Sequence, residues 1–376
     1  MIKKIGLTLL LLSMTVTMPM TGWAASSKTE IKVSKSALDY EMVRPQSDGA
    51  FHDGLLLAQQ SNGKNVYYNS KGAQAFTLPT GIEPLTDFRE QRAVVKDTAT
   101  KLYGYINTQG RLVIPCQYVE VDSFAEGTAH VKDASDREFF VDRAGKTLVS
   151  LTTSYDSDFL FTEGLATAYE ELTGRIGYVN TKGELAIPYQ YSYARNFSEG
   201  LAVVSNDAGL YGYIDSSGKQ VIPFRYTSAG DFGEGVAPVQ NATGKWGYIN
   251  KQGKTVIPHQ YANAWGFSEG LAVVYNTKEQ VGYINKAGKL VIGYQKYNRA
   301  DDFSQGIALV GINSKSDPNG KYGYIDRQGK LLTKLEYTPE SSSFNQGYAV
   351  AVKNGKGYIL ARSTSTGTGS GTTAGK

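Results

Sequence analysis

Short aliphatic runs recur along this chain at a nearly constant interval, separated by stretches rich in glycine, asparagine and aspartate. The clearest example begins at Leu271-Ala272-Val273-Val274, short, apolar and rich in β-branched residues, which predicts a strand. Val281-Gly282-Tyr283-Ile284-Asn285 follows with alternating faces and predicts a second. Asn285-Lys286-Ala287-Gly288 then reads as a hairpin turn. The asparagine side chain bonds back to the backbone, and the glycine supplies a left-handed residue. Lys289-Leu290-Val291-Ile292 is the third predicted strand; in four copies this strand is expected to end at proline, at Pro115, Pro188, Pro223 and Pro258. The dozen residues after it carry a tyrosine, such as Tyr191 or Tyr261, and fit a loop or one helical turn.

Two landmarks fix the period. Phe-x-Glu-Gly and its variants place phenylalanine at 51, 88, 124, 161, 197, 232, 267, 303 and 344. Aromatic-Gly-Tyr-Ile-Asn and its variants place tyrosine at 67, 105, 178, 213, 248, 283, 324 and 358, with Phe140 in the third copy. Both give nine copies in the same order. A three-stranded meander of about 35 residues cannot bury its apolar face alone, so neighbours must stack. The expected fold is therefore all-β, a tandem array of nine three-stranded meanders over residues 51–360. Propellers usually have about four to eight blades of four strands. Nine units of three therefore favour an open or superhelical array over the alternative, a closed or irregular β-propeller.

Lys245-Trp246-Gly247-Tyr248-Ile249-Asn250 and Lys321-Tyr322-Gly323-Tyr324-Ile325-Asp326, with the Val-Ile-Pro-x-x-Tyr and Phe-Ser-Glu-Gly-Leu-Ala-Val-Val segments, resemble the WG-repeat family of bacterial proteins. The resemblance covers about 51–360. It departs from the pattern in that tryptophan stands in one copy only, with Tyr103, Tyr211, Tyr322, Ile176 or Val281 elsewhere, and the third copy is eroded around Glu138-Phe139-Phe140. The resemblance implies a repetitive β-architecture, often exported or at the cell envelope, and no established activity.

The chain ends add a compartment. Met1-Ile2-Lys3-Lys4, an apolar run from Ile5 to about Val16, and Gly22-Trp23-Ala24-Ala25 have the form of a secretory signal peptide over 1–24, cleaved after Ala24. The apolar run is shorter than the ~20 residues a spanning helix needs, so no membrane span is expected after cleavage. Residues 25–50 read as a leader segment, and the Ser/Thr/Gly-rich 361–376 as a disordered tail. The lone Cys116 excludes an internal disulfide. Without Lys3 and Lys4 the chain carries 37 basic and 35 acidic residues, too even a balance for a nucleic-acid partner.

Two sets of residues invite a chemical reading. The turn acids Glu126, Glu163, Glu199, Glu234 and Glu269, with Asp53 and Glu90, would form a row of cation ligands if they were functional. Gln305 and Gln346 take the same place, which keeps the acceptor and drops the charge; the acids are therefore expected to be structural, and no metal is expected. Tyr103, Tyr211, Trp246, Trp265 and Tyr322 are candidates for stacking on a sugar ring, against the competing reading of inter-repeat packing. His52, His130 and His259 sit inside the repeat frame, and no nucleophile, phosphate-loop or zinc-protease motif is present, so neither catalysis nor a cofactor is expected. The expected function is a non-catalytic, exported, monomeric scaffold for protein contacts at the cell envelope or outside the cell. The alternative is binding to a cell-wall glycan or other polysaccharide through the aromatic row.

Overall fold

The computed structural model describes residues 28–39, 47–150, 161–294 and 297–365. The signal peptide and the tail beyond 365 lie outside them. The compact unit Thr29–Ser363 is built of antiparallel sheets joined in series, with no helix among the described residues.

The fifth copy shows how sequence becomes sheet. Its strands Tyr193–Ala194, Leu201–Ser205, Tyr211–Asp215 and Gln220–Tyr226 pair in chain order. The second and third strands are buried almost throughout, while the fourth alternates and shows Val221 to solvent. The sixth and seventh copies repeat this order of four. Three strands per copy was therefore one too few for the fifth to seventh copies, while the fourth and eighth keep three-stranded sheets. In the fifth and sixth copies the stretch around the recurrent tyrosine is neither loop nor helical turn; it completes the fourth strand and starts the first strand of the next copy. Leu112–Val121 does both without a break, which fuses the second and third copies into one seven-stranded sheet.

The prolines do not end the outer strand. In Leu185–Tyr191 the strand runs through Pro188, and the pairing steps from Tyr178↔Ile187 to Ile176↔Tyr191, a bulge centred on the proline. Pro188 lacks an N–H, so it fits an edge strand that nothing pairs on the outside. The bulge also explains the glycine before each tyrosine. A Cβ on Gly247 would stand 2.7 Å from the Ile257 carbonyl oxygen and 2.8 Å from the His259 nitrogen. Gly104, Gly177 and Gly212 meet the equivalent carbonyl at 2.5, 2.4 and 2.6 Å. The motif needs glycine because the bulged backbone lies on it.

The chain ends meet in one sheet. Among the described residues the last copy has Tyr348–Lys353 and Lys356–Ser365 as its own paired strands, and Lys28–Val33 adds to the edge of the latter. An N-terminal strand thus takes the outer place in the C-terminal copy. Ser34 and Leu38 donate backbone hydrogen bonds to Ile359 and Gly357, both at 2.8 Å. Leu38, Phe51, Leu56, Val350 and Ile359 share one buried cluster. The first and ninth copies are neighbours because each would otherwise leave an apolar face in water. Residues 28–33 and 361–365 belong to this seam, so the ordered β-structure extends beyond the expected 51–360 at both ends.

Candidate functional site

The turn acids sit in two-residue hairpins between the first and second strands. Ser198 and Leu201 exchange backbone hydrogen bonds around Glu199-Gly200, and both central residues are left-handed, with φ of 54° and 84°. That is the hairpin geometry whose twist matches the flanking strands. It costs strain at a non-glycine residue, and the carboxylate shows what offsets it. Glu199 accepts the N–H of Gly235 at 2.9 Å, in the next copy. Glu126 takes Gly164, Glu163 takes Gly200, Glu234 takes Gly270 and Glu269 takes Gly306, at 2.8 to 3.0 Å. Gln305 accepts from Gly347, and Gln346 from Gly54, both at 2.7 Å. The relay therefore runs from copy to copy and returns from the last to the first.

Cations join three of these links from the next copy's outer hairpin: Lys251 on Glu199 at 3.2 Å, Lys286 on Glu234 at 3.1 Å and Arg327 on Glu269 at 3.8 Å. At Glu199 and Glu234 partial burial acts upward on the carboxyl, but the amide and lysine partners outweigh it and hold both below the ordinary glutamate value. These acids are occupied by protein donors.

Sequence reasoning missed a second relay. The fully buried Tyr213 donates its hydroxyl to the Gly230 carbonyl of the next copy at 2.8 Å, and its ring meets Phe232 edge-on at 4.9 Å. Tyr105, Tyr178, Tyr248 and Tyr283 repeat both contacts, on Asp122 and Phe124, Arg195 and Phe197, Trp265 and Phe267, and Asp301 and Phe303. Both landmarks thus meet at every one of these junctions. The signal in the sequence was their constant offset, Tyr213 to Phe232 for example, which a reading of each unit alone does not use.

The five candidate aromatics are not brought together. Tyr103, Tyr211 and Trp246 are half-buried against three different core clusters, and Tyr322 is buried in a fourth. Trp265 is 41 % exposed. Tyr193 shows 41 % as well and meets Tyr211 edge-on at 5.7 Å. Among the described residues no ring contact joins any two of the five candidates.

A family described as WG containing repeat matches residues 103–133, 176–208, 211–245, 246–277, 282–315 and 322–356, more than half of the chain. The chain belongs to that family. Each matched WG unit spans the third strand of one copy and the opening strands of the next, so the family's repeat frame straddles the junctions described above. No curated protein matches the chain. Among solved structures it is similar to one titled as the eukaryotic initiation factor, at 11 % identity and a TM-score of 0.53, over 82 % of this chain and 95 % of that one. It also aligns with BamB from Moraxella catarrhalis, at 11 % identity and TM-score 0.41, covering 88 % and 97 % of the two chains. The C-terminal WD40 domain of Sif2 gives 12 % and 0.43, over 88 % and 98 %. At such identities the first likeness speaks to fold alone.

Within the WG-repeat frame, the residues just before each phenylalanine carry the least regular chemistry. Arg195 meets Asp231 of the next copy at 3.2 Å, and Asp301 accepts from Ser343 at 2.9 Å. Burial pushes Asp231 and Asp301 upward, and burial together with the Asp301 charge pushes Asp302 up to about 6. Where the first copy meets the second, Asp48, His52 and Asp87 present ligand atoms within 4.8 Å of one another. Protein donors already serve them: His52 Nε2 is 2.8 Å from Asp48, Arg89 is 3.5 Å from Asp48, and Asp87 accepts from Ser47 Oγ at 2.8 Å. His130 lies between Asp122 and Glu138 at 3.3 and 3.2 Å; burial acts downward on it, and the two carboxylates override that and raise its pKa. Cys116 is half-buried, and burial pushes its thiol up, away from a nucleophile's range.

Proposed function

We propose that the protein is a closed ring of nine WG-type blades that serves as an exported, non-catalytic binding scaffold. The observation that carries the reading is the relay of side-chain acceptors, Glu199 to Gly235 through Gln346 to Gly54, which spends the repeated polar groups on holding copies together. Equivalent turns of neighbouring copies touch directly there. In a ring of radiating blades they do so nearest the axis, so the first strands face inward and the bulged outer strands face out. A ring fixed this way presents variable loops on a rigid frame, the usual division of labour between scaffold and binding site. Export rests on the signal-peptide pattern of residues 1–24.

The test is affinity capture of the mature protein, from residue 25 onward, in envelope and culture-fluid extracts. One stoichiometric protein partner supports the scaffold reading; retention on peptidoglycan alone overturns it in favour of glycan binding. That second reading is favoured by one observation, the exposure of Trp265 and Tyr193. It predicts that combined Trp265→Ala and Tyr193→Ala substitution abolishes retention on glycan.

A further inference from the structure

The first copy departs from six of the others at one paired position, and a cavity lies there. In six other copies a tyrosine of the fourth-strand region is buried: Tyr118, Tyr191, Tyr226, Tyr261, Tyr297 and Tyr337 are each 4 to 7 % exposed. Four of them pair with the residue that precedes the motif glycine, as Tyr103↔Tyr118, Ile176↔Tyr191, Tyr211↔Tyr226 and Trp246↔Tyr261. The spacing across each pair is 15 residues. The same spacing from Asn65, which stands two before Tyr67, leads to Thr80. The first copy thus replaces a large side chain by asparagine, the motif glycine by Val66, and the buried tyrosine by an exposed threonine.

The rest of the first copy's outer segment keeps its place. Phe76 takes the position of the buried isoleucine. A Cβ on Gly110 would meet the Phe76 ring, just as one on Gly218 would meet Ile187 and one on Gly253 would meet Ile222. What is missing is the tyrosine four residues on. A cavity of about 300 Å³ occupies that region, lined among others by Lys64, Tyr67, Phe76, Pro79, Thr80 and Ile82. That volume is at the small end of ligand pockets, ~300–1,000 Å³. The segment from Thr77 to Gly81 lines the cavity, and the volume suits a compact molecule.

We infer that this cavity is a binding site for a small para-substituted phenol, a free molecule of the size and shape of the tyrosine side chain that the first copy lacks. The ring would pack on Phe76 and Ile82, as the chain's own tyrosines pack in their clusters, with the hydroxyl toward Lys64, which also lines the cavity. The inference does not depend on the scaffold reading, because the cavity is internal to the first two copies.

The experiment titrates the full chain with p-cresol, and with cyclohexanol as a non-aromatic ring alcohol. Expected are saturable shifts in the melting temperature with p-cresol, and intermolecular nuclear Overhauser contacts from its ring protons to Phe76 and Ile82. Cyclohexanol is expected to be at least tenfold weaker. Thr80→Tyr should raise the melting temperature and abolish the p-cresol shift. Absence of a saturable p-cresol effect on the unaltered protein overturns the proposal, as does equal binding of cyclohexanol. An undiminished p-cresol effect in T80Y overturns it too. Should T80Y not fold, the Overhauser contacts in the unaltered protein decide: their absence at Phe76 and Ile82 rejects the site.

Discussion

Replacing Gly247 by alanine is the sharpest local test of why each unit carries glycine before tyrosine. The new Cβ would lie 2.7 Å from the Ile257 oxygen, 2.8 Å from the His259 nitrogen and 2.9 Å from its Cα, all backbone atoms. Pro258 stands between those two residues with its φ fixed by the ring, so the bulge has little freedom to withdraw. Overpacking costs about 1–3 kcal/mol where side chains can give way; against backbone the upper end applies, about 3 kcal/mol. At an unfolding entropy of about 2.1 cal/mol/K per residue over the compact unit Thr29–Ser363, that lowers the melting temperature by roughly 4 °C. Two glycines of the seventh copy grade the effect. A Cβ on Gly282 first meets the flexible Leu290 side chain at 2.8 Å, which predicts about 1 kcal/mol. One on Gly266 has nothing within 4 Å, which predicts a change within about 0.5 kcal/mol. Urea and thermal unfolding followed by circular dichroism would rank the three. A Gly247→Ala variant as stable as Gly266→Ala would refute the close-approach argument.

Tyr213→Phe removes the hydroxyl that satisfies the Gly230 carbonyl while leaving the ring contact with Phe232, and should cost about 1–2 kcal/mol in urea unfolding. Glu234→Gln keeps an acceptor for the Gly270 N–H, as Gln305 does for Gly347, and should change stability by under about 0.5 kcal/mol; Glu234→Ala should cost about 1 kcal/mol. Asp302, raised from 3.8 to about 6 in the folded chain, binds its proton more tightly there than when unfolded. Its stabilising contribution is therefore complete below about pH 4 and lost as pH rises through 6. Asp302→Asn should raise stability at pH 7 by roughly 1–2 kcal/mol after allowance for solvent screening, and flatten the melting-temperature profile between pH 4 and 6. Deleting residues 28–38 strips the outer strand from the ninth copy and should lower the melting temperature by several degrees, whereas deleting 366–376 should leave it unchanged.

The period, the strand type and the hairpin turns were legible because each is a local property. Asn250 Oδ1 accepts from Gln252 and Lys254 within its own turn, and Gly253 takes a φ of 73°, as the Asn-x-x-Gly spacing requires. The structural role expected of Glu126, Glu163, Glu199, Glu234 and Glu269 rested on the glutamines that replace them, but the donors proved to lie one whole copy away. Strand count failed at the tyrosine segments. Two-residue strands such as Tyr193–Ala194 carry no periodicity, and the proline reads as a terminator unless the bulge is known. The place of the N-terminal strand was illegible for a related reason. Lys28–Val33 resembles no repeat landmark, and only the unpaired edge of Lys356–Ser365, more than 300 residues later, gives it a place. The aromatic row looked continuous in sequence, yet Tyr103, Tyr211, Trp246 and Tyr322 fall into separate junctions because each copy packs its own.

Closure of the ring is the central claim, and a covalent link across the seam tests it most directly. His52 Nδ1 and Asn345 Nδ2 approach to 3.4 Å between the first and ninth copies. His52→Cys and Asn345→Cys together, in a Cys116→Ala background, place two thiols there for a short bismaleimide. A closed ring predicts rapid intramolecular crosslinking in buffer that is lost in urea, seen as a faster-migrating looped species on a denaturing gel. Only intermolecular products, or none in buffer, would contradict closure and return the chain to an open array.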